Sequence, residues 1–111
     1  MKLLIIVIDN PDLVAEIVPV LVELEIRGLV SIEAESVMNF LAKEVPIFAG
    51  LRELASTSKS YNRTIFGVSD DEDILDRLND FLEEIGIDLG DEDAGYAFTV
   101  PVEGILGNSS E

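Results

Sequence analysis

The chain has 111 residues, 48% hydrophobic and 27% charged, and a net charge of −16. That length and balance suit one globular domain, residues 1–111, with a core of its own. The charge disfavours nucleic acid as a partner, and the absence of Cys and His excludes disulfides, thiolate chemistry and the commonest general base and metal ligand.

The run Leu3-Leu4-Ile5-Ile6-Val7-Ile8 is apolar without alternation and is ended by Asp9. It predicts a strand covered on both faces, and it is too short for a signal segment or a membrane span. The expectation is a cytoplasmic protein with no direct membrane insertion. Asn10-Pro11-Asp12 has the order of a helix start: a capping side chain, a first-turn proline and an acid at the positive helix end. Leu13, Val14, Ile17, Val18, Leu21 and Leu24 carry helical spacing to about Glu25, and Pro19 is expected to kink that helix by removing a backbone bond. Arg27-Gly28 turns the chain. From Leu29 the pattern alternates, with Val30, Ile32 and Ala34 on one face and Ser31, Glu33 and Glu35 on the other. This predicts a half-buried strand with a wet or partner-facing side.

Residues 38–60 break any regular pattern with Pro46, Gly50, Ser56, Thr57, Ser58 and Ser60, although a short helix fits Leu51 to Ala55. Long links of this kind in compact domains usually carry function. Thr64 to Val68 reads as the next buried strand. Ser69-x-x-Glu72 matches a capping box, Asp70, Asp71 and Asp73 crowd the first turn, and Gly86 follows the stripe Ile74, Leu75, Leu78, Phe81, Leu82, Ile85 as a natural helix stop,. An acidic loop, Asp88 to Asp93, leads to a last strand, Tyr96 to Val100, which Pro101 marks as an edge or as ended.

The order of these elements predicts an α+β, ferredoxin-like βαββαβ fold: an antiparallel sheet with two helices on one face and a long loop between strands 2 and 3. One sheet face is then left without helices, carrying residues such as Val7 or Phe98 according to register. An apolar face of that size calls for a homo-oligomer to cover it.

The charge is uneven. Residues 43–63 hold Lys43, Arg52, Lys59 and Arg63 against Glu44 and Glu53, a net +2, which leaves −18 for the rest. Over half the basic residues thus lie in or beside the long loop, as in a docking element or an anion-binding patch. Residues 70–93 hold twelve acids and one base, Arg77. Their spacing matches no calcium loop and reads as a solvated face. With no His, Cys or phosphate loop, and with carboxylate pairs such as Glu33/Glu35 and Glu83/Glu84 on exposed elements, the chain is not expected to be an enzyme.

Two segments carry a family resemblance: Glu23-Leu24-Glu25-Ile26-Arg27-Gly28-Leu29-Val30-Ser31-Ile32-Glu33, and Gly95-Tyr96-Ala97-Phe98-Thr99-Val100-Pro101-Val102-Glu103. Both resemble the P-II family of nitrogen-regulatory signal-transduction proteins. The order of elements agrees along nearly the whole chain, and residues 38–60 fall where that family has its protruding T-loop. Val45 to Arg52, with Asn62 to Phe66, is similar to a divergent P-II-like branch. The resemblance implies a homotrimer with ligand clefts between subunits and a T-loop that docks onto a target enzyme, transporter or regulator. Classical members bind ATP or ADP and 2-oxoglutarate. Here Gly90 and Gly95 correspond to the glycine amides of the family's loop before the last strand, but Tyr96 stands at its lysine position, and Asp91, Glu92 and Asp93 oppose a triphosphate. Those charges weigh against an adenine nucleotide. Arg27, Gly28, Lys59 and Arg63 complete the ligand residues expected near the cleft. Pro46, Ile47, Phe48, Leu51 and Arg52, apolar anchors beside an arginine, are the expected docking residues. The alternatives are a binding module for a small anion or an altered nucleotide, without a nitrogen-regulatory role, and a trimer like that of the divalent-cation-tolerance family, which shares the fold plan.

Overall fold

Strand β1 (Lys2–Ile8) runs through the middle of a four-stranded sheet. The computed structural model describes residues 1–47 and 61–109. β1 pairs antiparallel with β3 (Tyr61–Ser69) on one side and with β4 (Gly95–Pro101) on the other, and β3 pairs antiparallel with β2 (Arg27–Glu35). The strand order is therefore β2-β3-β1-β4, with β2 and β4 at the edges. Pro101 ends the edge strand β4, where a missing N–H leaves no central ladder broken,.

The described helices are α1 (Val14–Glu23), entered through a short tight turn at Pro11–Leu13, α2 (Val37–Glu44) and α3 (Ile74–Glu84). Pro19 lies inside α1. Leu4, Ile6 and Ile8 of β1 meet Ile17 and Leu21 of α1 and Ile74, Leu78 and Leu82 of α3 in one fully buried core. The chain is thus α+β with an antiparallel sheet, as expected, and both long helices contribute to a single core. Among the described residues no helix is long and apolar enough to cross a membrane.

The start and stop signals worked unequally. Asn10 does cap its turn, its Oδ1 accepting from the Asp12 N–H at 3.0 Å. Both long helices end in the same left-handed motif. After α1, Glu25 takes φ 61°, its N–H donates to the Val22 carbonyl at 3.0 Å and the Ile26 N–H to that of Leu21 at 3.3 Å. After α3, Gly86 takes φ 81°, with matching bonds from Gly86 to Glu83 at 3.1 Å and from Ile87 to Leu82 at 2.8 Å. Ile26 and Ile87, one residue further on, are buried, the apolar contact that usually closes this motif.

The capping box at Ser69 does not form. β3 extends to Ser69, opposite Lys2, so its backbone belongs to the ladder and cannot open a helix. Its Oγ accepts from the Asp71 N–H at 3.0 Å, Asp71 Oδ1 accepts from the Asp73 N–H at 2.9 Å, and α3 begins only at Ile74. Glu72 turns instead to the terminal amine, at 2.9 Å, and to Lys2, at 3.6 Å. A second correction concerns residues 38–60, whose beginning is helical: Ser36 Oγ accepts from the Asn39 N–H at 3.1 Å and starts α2. The short helix expected over Leu51 to Ala55 lies outside the described residues.

Because side chains alternate along strands, the register assigns every residue a face. Ile6 pairs with Ile65 and Ala97 on the helix side; Ile5 pairs with Phe66 and Phe98 on the opposite side. That second face carries Leu3, Ile5, Val7, Phe66, Val68, Tyr96, Phe98 and Val100, with Val30 and Ile32 of β2 beside Phe66 and Thr64. Both Val7 and Phe98 are therefore on it.

Glycine substitutions test this account. Gly95 takes φ 140°, and a Cβ there would collide with the Val7 carbonyl oxygen, so Gly95→Ala is expected to lower stability by about 3 kcal/mol or more in urea unfolding. Gly86→Ala meets no atom within 4 Å and should cost only about 1 kcal/mol, from the left-handed backbone alone. Glu25→Gly should gain several tenths of a kcal/mol, since it relieves the same strain and removes an acid from the negative helix end.

Candidate functional site

Ile8 closes β1 between Arg63 on β3 and Gly95 on β4. Beyond that point β2 and β3 run on as a two-stranded extension, pairing Ala34 with Asn62 and Glu35 with Tyr61. A cleft of about 300 Å³ lies there, lined by Ile8 and Asp9 at the end of β1, by Pro11 and Val14 at the start of α1, and by Glu33, Tyr61, Asn62 and Arg63 of β2 and β3. Glu33 and Arg63 are opposite one another in the ladder. Their contact is long: Arg63 Nη2 is 3.8 Å from Glu33 Oε2, and Nη1 reaches Ser31 Oγ at 3.5 Å. A half-exposed pair at such a distance adds little to stability.

Tyr61 of the cleft also belongs to a second cluster. Lys43, in the last turn of α2, places its Nζ 2.9 Å from Glu35 Oε2 and 3.0 Å from the Tyr61 hydroxyl oxygen, to which it donates. It also stands 5.4 Å from the centre of the Tyr61 ring, a cation–π contact,. Asn39, buried on α2, donates from Nδ2 to Glu35 Oε2 at 2.7 Å. One carboxylate thus ties α2 to the ends of β2 and β3. The Lys43 hydrogen bond holds the Glu35 carboxyl below its ordinary range, with Tyr61 and Asn39 adding to the effect against a smaller opposing effect of burial. Glu35, first of all, and then Tyr61 push Lys43 up. A lowered carboxylate value contributes stability above the ordinary carboxylate range and loses it as pH falls through the folded value. A raised lysine value contributes below the ordinary lysine range and loses it as pH climbs through the folded value. The clamp is therefore fully charged at neutral pH.

The expected ligand residues fall into separate places. Arg63 is in the cleft. Gly90, Gly95 and Tyr96 meet in a groove between α3 and β4, floored by Leu78 and Leu82. There Gly95 is required by the close approach of the Val7 carbonyl, and the Gly90 N–H is taken by Asp88 Oδ1 at 2.7 Å. The Tyr96 ring stacks on Phe98, with centroids 6.2 Å apart. Arg27 and Gly28 are at the opposite end of the sheet, since Arg27 pairs with Val68, five residues and about 17 Å along β3 from Arg63,. Arg27 is engaged with Asp70 at 3.0 Å and with Ser109 Oγ at 3.3 Å, and Gly28, at φ 63°, makes the bulge that shifts the β2 register,. Pro46 and Ile47 are exposed, Ile47 at 83%. Phe48, Leu51, Arg52 and Lys59 lie outside the described residues.

The acids of 88–93 are built into turns, with the Asp91 N–H donating to the Asp88 carbonyl at 3.1 Å and the Ala94 N–H to that of Asp91 at 3.2 Å. Among the described residues no group of three or more acids is placed to hold a metal ion. Sequence reasoning missed Glu33, Asp9 and Asn62 as cleft residues and the Glu35–Lys43–Tyr61 clamp. The usable signal was Glu33-x-Glu35 against Tyr61-x-Arg63, two alternating segments of opposite character on neighbouring strands.

Lys43→Met should return the Glu35 carboxyl to the ordinary glutamate range in an NMR pH titration and speed amide exchange along α2, while leaving exchange in β1 unchanged. Unaltered α2 exchange would mean that the helix is held without the clamp.

No protein-family model matches this chain, and no curated protein sequence matches it.

Proposed function

We propose that this chain is a P-II-like, non-catalytic regulatory protein. In this reading ferredoxin-like domains associate as a homotrimer, take a small effector near their clefts and present the 38–60 segment to a target protein. The order of the elements around the sheet, with strands as β2-β3-β1-β4, supports the ferredoxin-like plan, α2 being an addition to the link between its second and third strands.

The observation that carries the reading is the sheet face opposite the helices. Phe98 and Val100 are 41% and 42% exposed on it, Tyr96 is exposed beside them, and Val30 and Ile32 are exposed at the opposite edge, on β2. None of the residues that the register assigns to this face from β1, β3 and β4 is charged, in a chain of net charge −16. Two copies with that charge repel wherever their acidic surfaces meet, and this face lets them approach without opposing carboxylates. Closed rotational symmetry satisfies such a self-complementary surface, and the family resemblance supplies the number three. The exposed Ile47 and the apolar side chains Val37, Met38 and Phe40 on α2 support a docking role for the adjoining segment, since apolar groups left in water there are costly without a partner.

Light scattering of the purified protein should give about 36 kDa, three copies of the 12.1 kDa chain,. Phe98→Asp, which sets a carboxylate in the middle of the face, should yield a folded monomer by the same measurement. A monomeric parent protein would overturn the proposal.

A further inference from the structure

We infer that the outer edge of β4 docks an extended peptide that carries a basic side chain and, two residues later, an apolar one. The inference goes beyond the regulatory proposal and does not rest on it, because one copy of the chain holds the whole site.

The ladder fixes which backbone groups of β4 face outward. The Asp9 N–H donates to the Ala94 carbonyl at 3.0 Å, and the Val102 N–H to that of Met1 at 3.1 Å. Both pairs continue the register that sets Val7 opposite Tyr96 and Ile5 opposite Phe98. Antiparallel ladders alternate between pairs that exchange bonds and pairs that do not. Tyr96, Phe98 and Val100 therefore turn N–H and C=O toward β1, and Gly95, Ala97 and Thr99 turn theirs outward. β4 ends the strand order, so no described strand pairs with them. Pro101 takes the next outward position, where its missing N–H closes the run. The opposite edge is guarded: β2 has a register shift at Gly28 and the charges of Arg27, Glu33 and Glu35, devices that keep foreign strands away. Gly95–Pro101 has neither a charge nor a register shift.

On the helix side a groove follows this edge. Its first part, about 300 Å³, sets Leu75, Leu78, Leu82 and Leu89 of α3 and the loop after it beside Gly95 and Ala97. Leu75 also lines the second part, about 230 Å³, where Lys2, Glu72, Asp73 and Asp76 surround Thr99. The positive charges there are spent on one acid, since Lys2 and the terminal amine both reach Glu72, at 3.6 and 2.9 Å. Arg77, on the same helix, goes to Asp71 at 2.7 Å. Among the described residues no ion pair reaches the carboxylates of Asp73 and Asp76. Arg52 and Lys59 belong to the segment that joins β3 at Tyr61, eight residues and about 26 Å along that strand from Ser69, the residue opposite Lys2,. Glu111, the last residue, adds an acid. The groove is thus apolar at one end and acidic at the other, in a chain of net charge −16 that favours a basic partner throughout.

A strand added antiparallel to β4, the sense of every pair in this sheet, sets one side chain opposite Thr99 at the acids. The side chain two residues later, opposite Ala97, then lies at the leucines. Main-chain bonds to Ala97 and Thr99 supply affinity, and the two side chains supply selectivity.

The probe is acetyl-Thr-Lys-Thr-Leu-Thr-Ser-amide, titrated to millimolar concentration into the isotope-labelled whole chain and followed by NMR. The amides of Ala97 and Thr99 are expected to shift saturably and more than those of Tyr96 and Phe98, because only outward N–H groups gain a partner. N-methylation of the peptide leucine removes a backbone donor and keeps the side chain, and should weaken binding by about fivefold. Exchange of the peptide lysine for glutamate should weaken it by about tenfold or more. The double variant Asp73→Asn, Asp76→Asn should erase the preference for lysine. Asp73 makes no side-chain capping bond, so the variant is expected to stay folded, which its melting curve checks. Shifts without the alternation, indifference to N-methylation or equal binding of the glutamate peptide would each overturn the site. So would slow amide exchange at Ala97 and Thr99 in the free chain, equal to that at Tyr96 and Phe98, because the edge would then already be taken by a second copy.

Discussion

A strand with no polar face has to be covered twice, and β1 is such a strand. Its even residues, Leu4, Ile6 and Ile8, are fully buried under α1 and α3. Its odd residues, Leu3, Ile5 and Val7, lie on the other face between Phe66 and Val68 of β3 and Tyr96, Phe98 and Val100 of β4. Burying each large aliphatic side chain is worth about 1.5–3 kcal/mol, so the helix side accounts for a folded core. The other side repeats the same chemistry, with Leu3, Ile5 and Val7 only half-buried. The double apolar character of six consecutive residues thus sets the centre of the fold and underlies the proposed association.

Charge follows the same division. The twelve acids of residues 70–93 lie on α3 and the turns around it, away from the apolar sheet face. Several are neutralised locally: Asp71 by Arg77 at 2.7 Å, Asp70 by Arg27 at 3.0 Å and Glu72 by the terminal amine at 2.9 Å. The Arg77 hydrogen bond lowers the Asp71 carboxyl, and the terminal amine lowers that of Glu72. The remaining repulsion opposes any contact except through surfaces free of carboxylates. In a chain this acidic, the distribution of charge would select the proposed interface by exclusion, which is a stronger specification than apolarity alone.

Strand identity was legible in the sequence because the branched apolar runs at 3–8, 64–68 and 96–100 admit little else, and helix ends were legible where one residue type dictates the backbone, as at Asn10 and Gly86. The misreadings have a common cause. Ser69-x-x-Glu72 has the residues of a capping box, but the β1 ladder takes Ser69 first, and ladder pairing is a long-range event that local spacing does not encode. α2 was hidden because its cap, Ser36, lacks a glutamate three residues on and has Asn39 there instead. Arg27 and Arg63 looked alike as candidate ligand residues. Only the register separates them, placing Arg27 opposite Val68 and engaging it with Asp70, while Arg63 stands opposite Glu33. Candidate site chemistry was therefore visible as residue types and invisible as neighbourhood.

The cleft and the sheet face opposite the helices meet at neighbouring residues of β1, and in the proposed regulatory role this bears on how an effector would be felt. Ile8 lies at the cleft, and Val7, its neighbour along β1, is on the opposite face beside Thr64 and Tyr96. Close-packed interiors transmit displacement because they have few voids to absorb it. A ligand that moves the end of β1 or the β2–β3 extension therefore shifts side chains on the face that other copies would cover. Thermodynamic linkage then makes the relation mutual: whatever association does to ligand affinity, ligand does to association by the same factor. The Glu35–Lys43 clamp adds the third member, since it joins that extension to α2 and so to the segment that follows. In the proposed regulatory role, ligand and assembly would thus meet at the last two residues of β1 and the strand ends facing them.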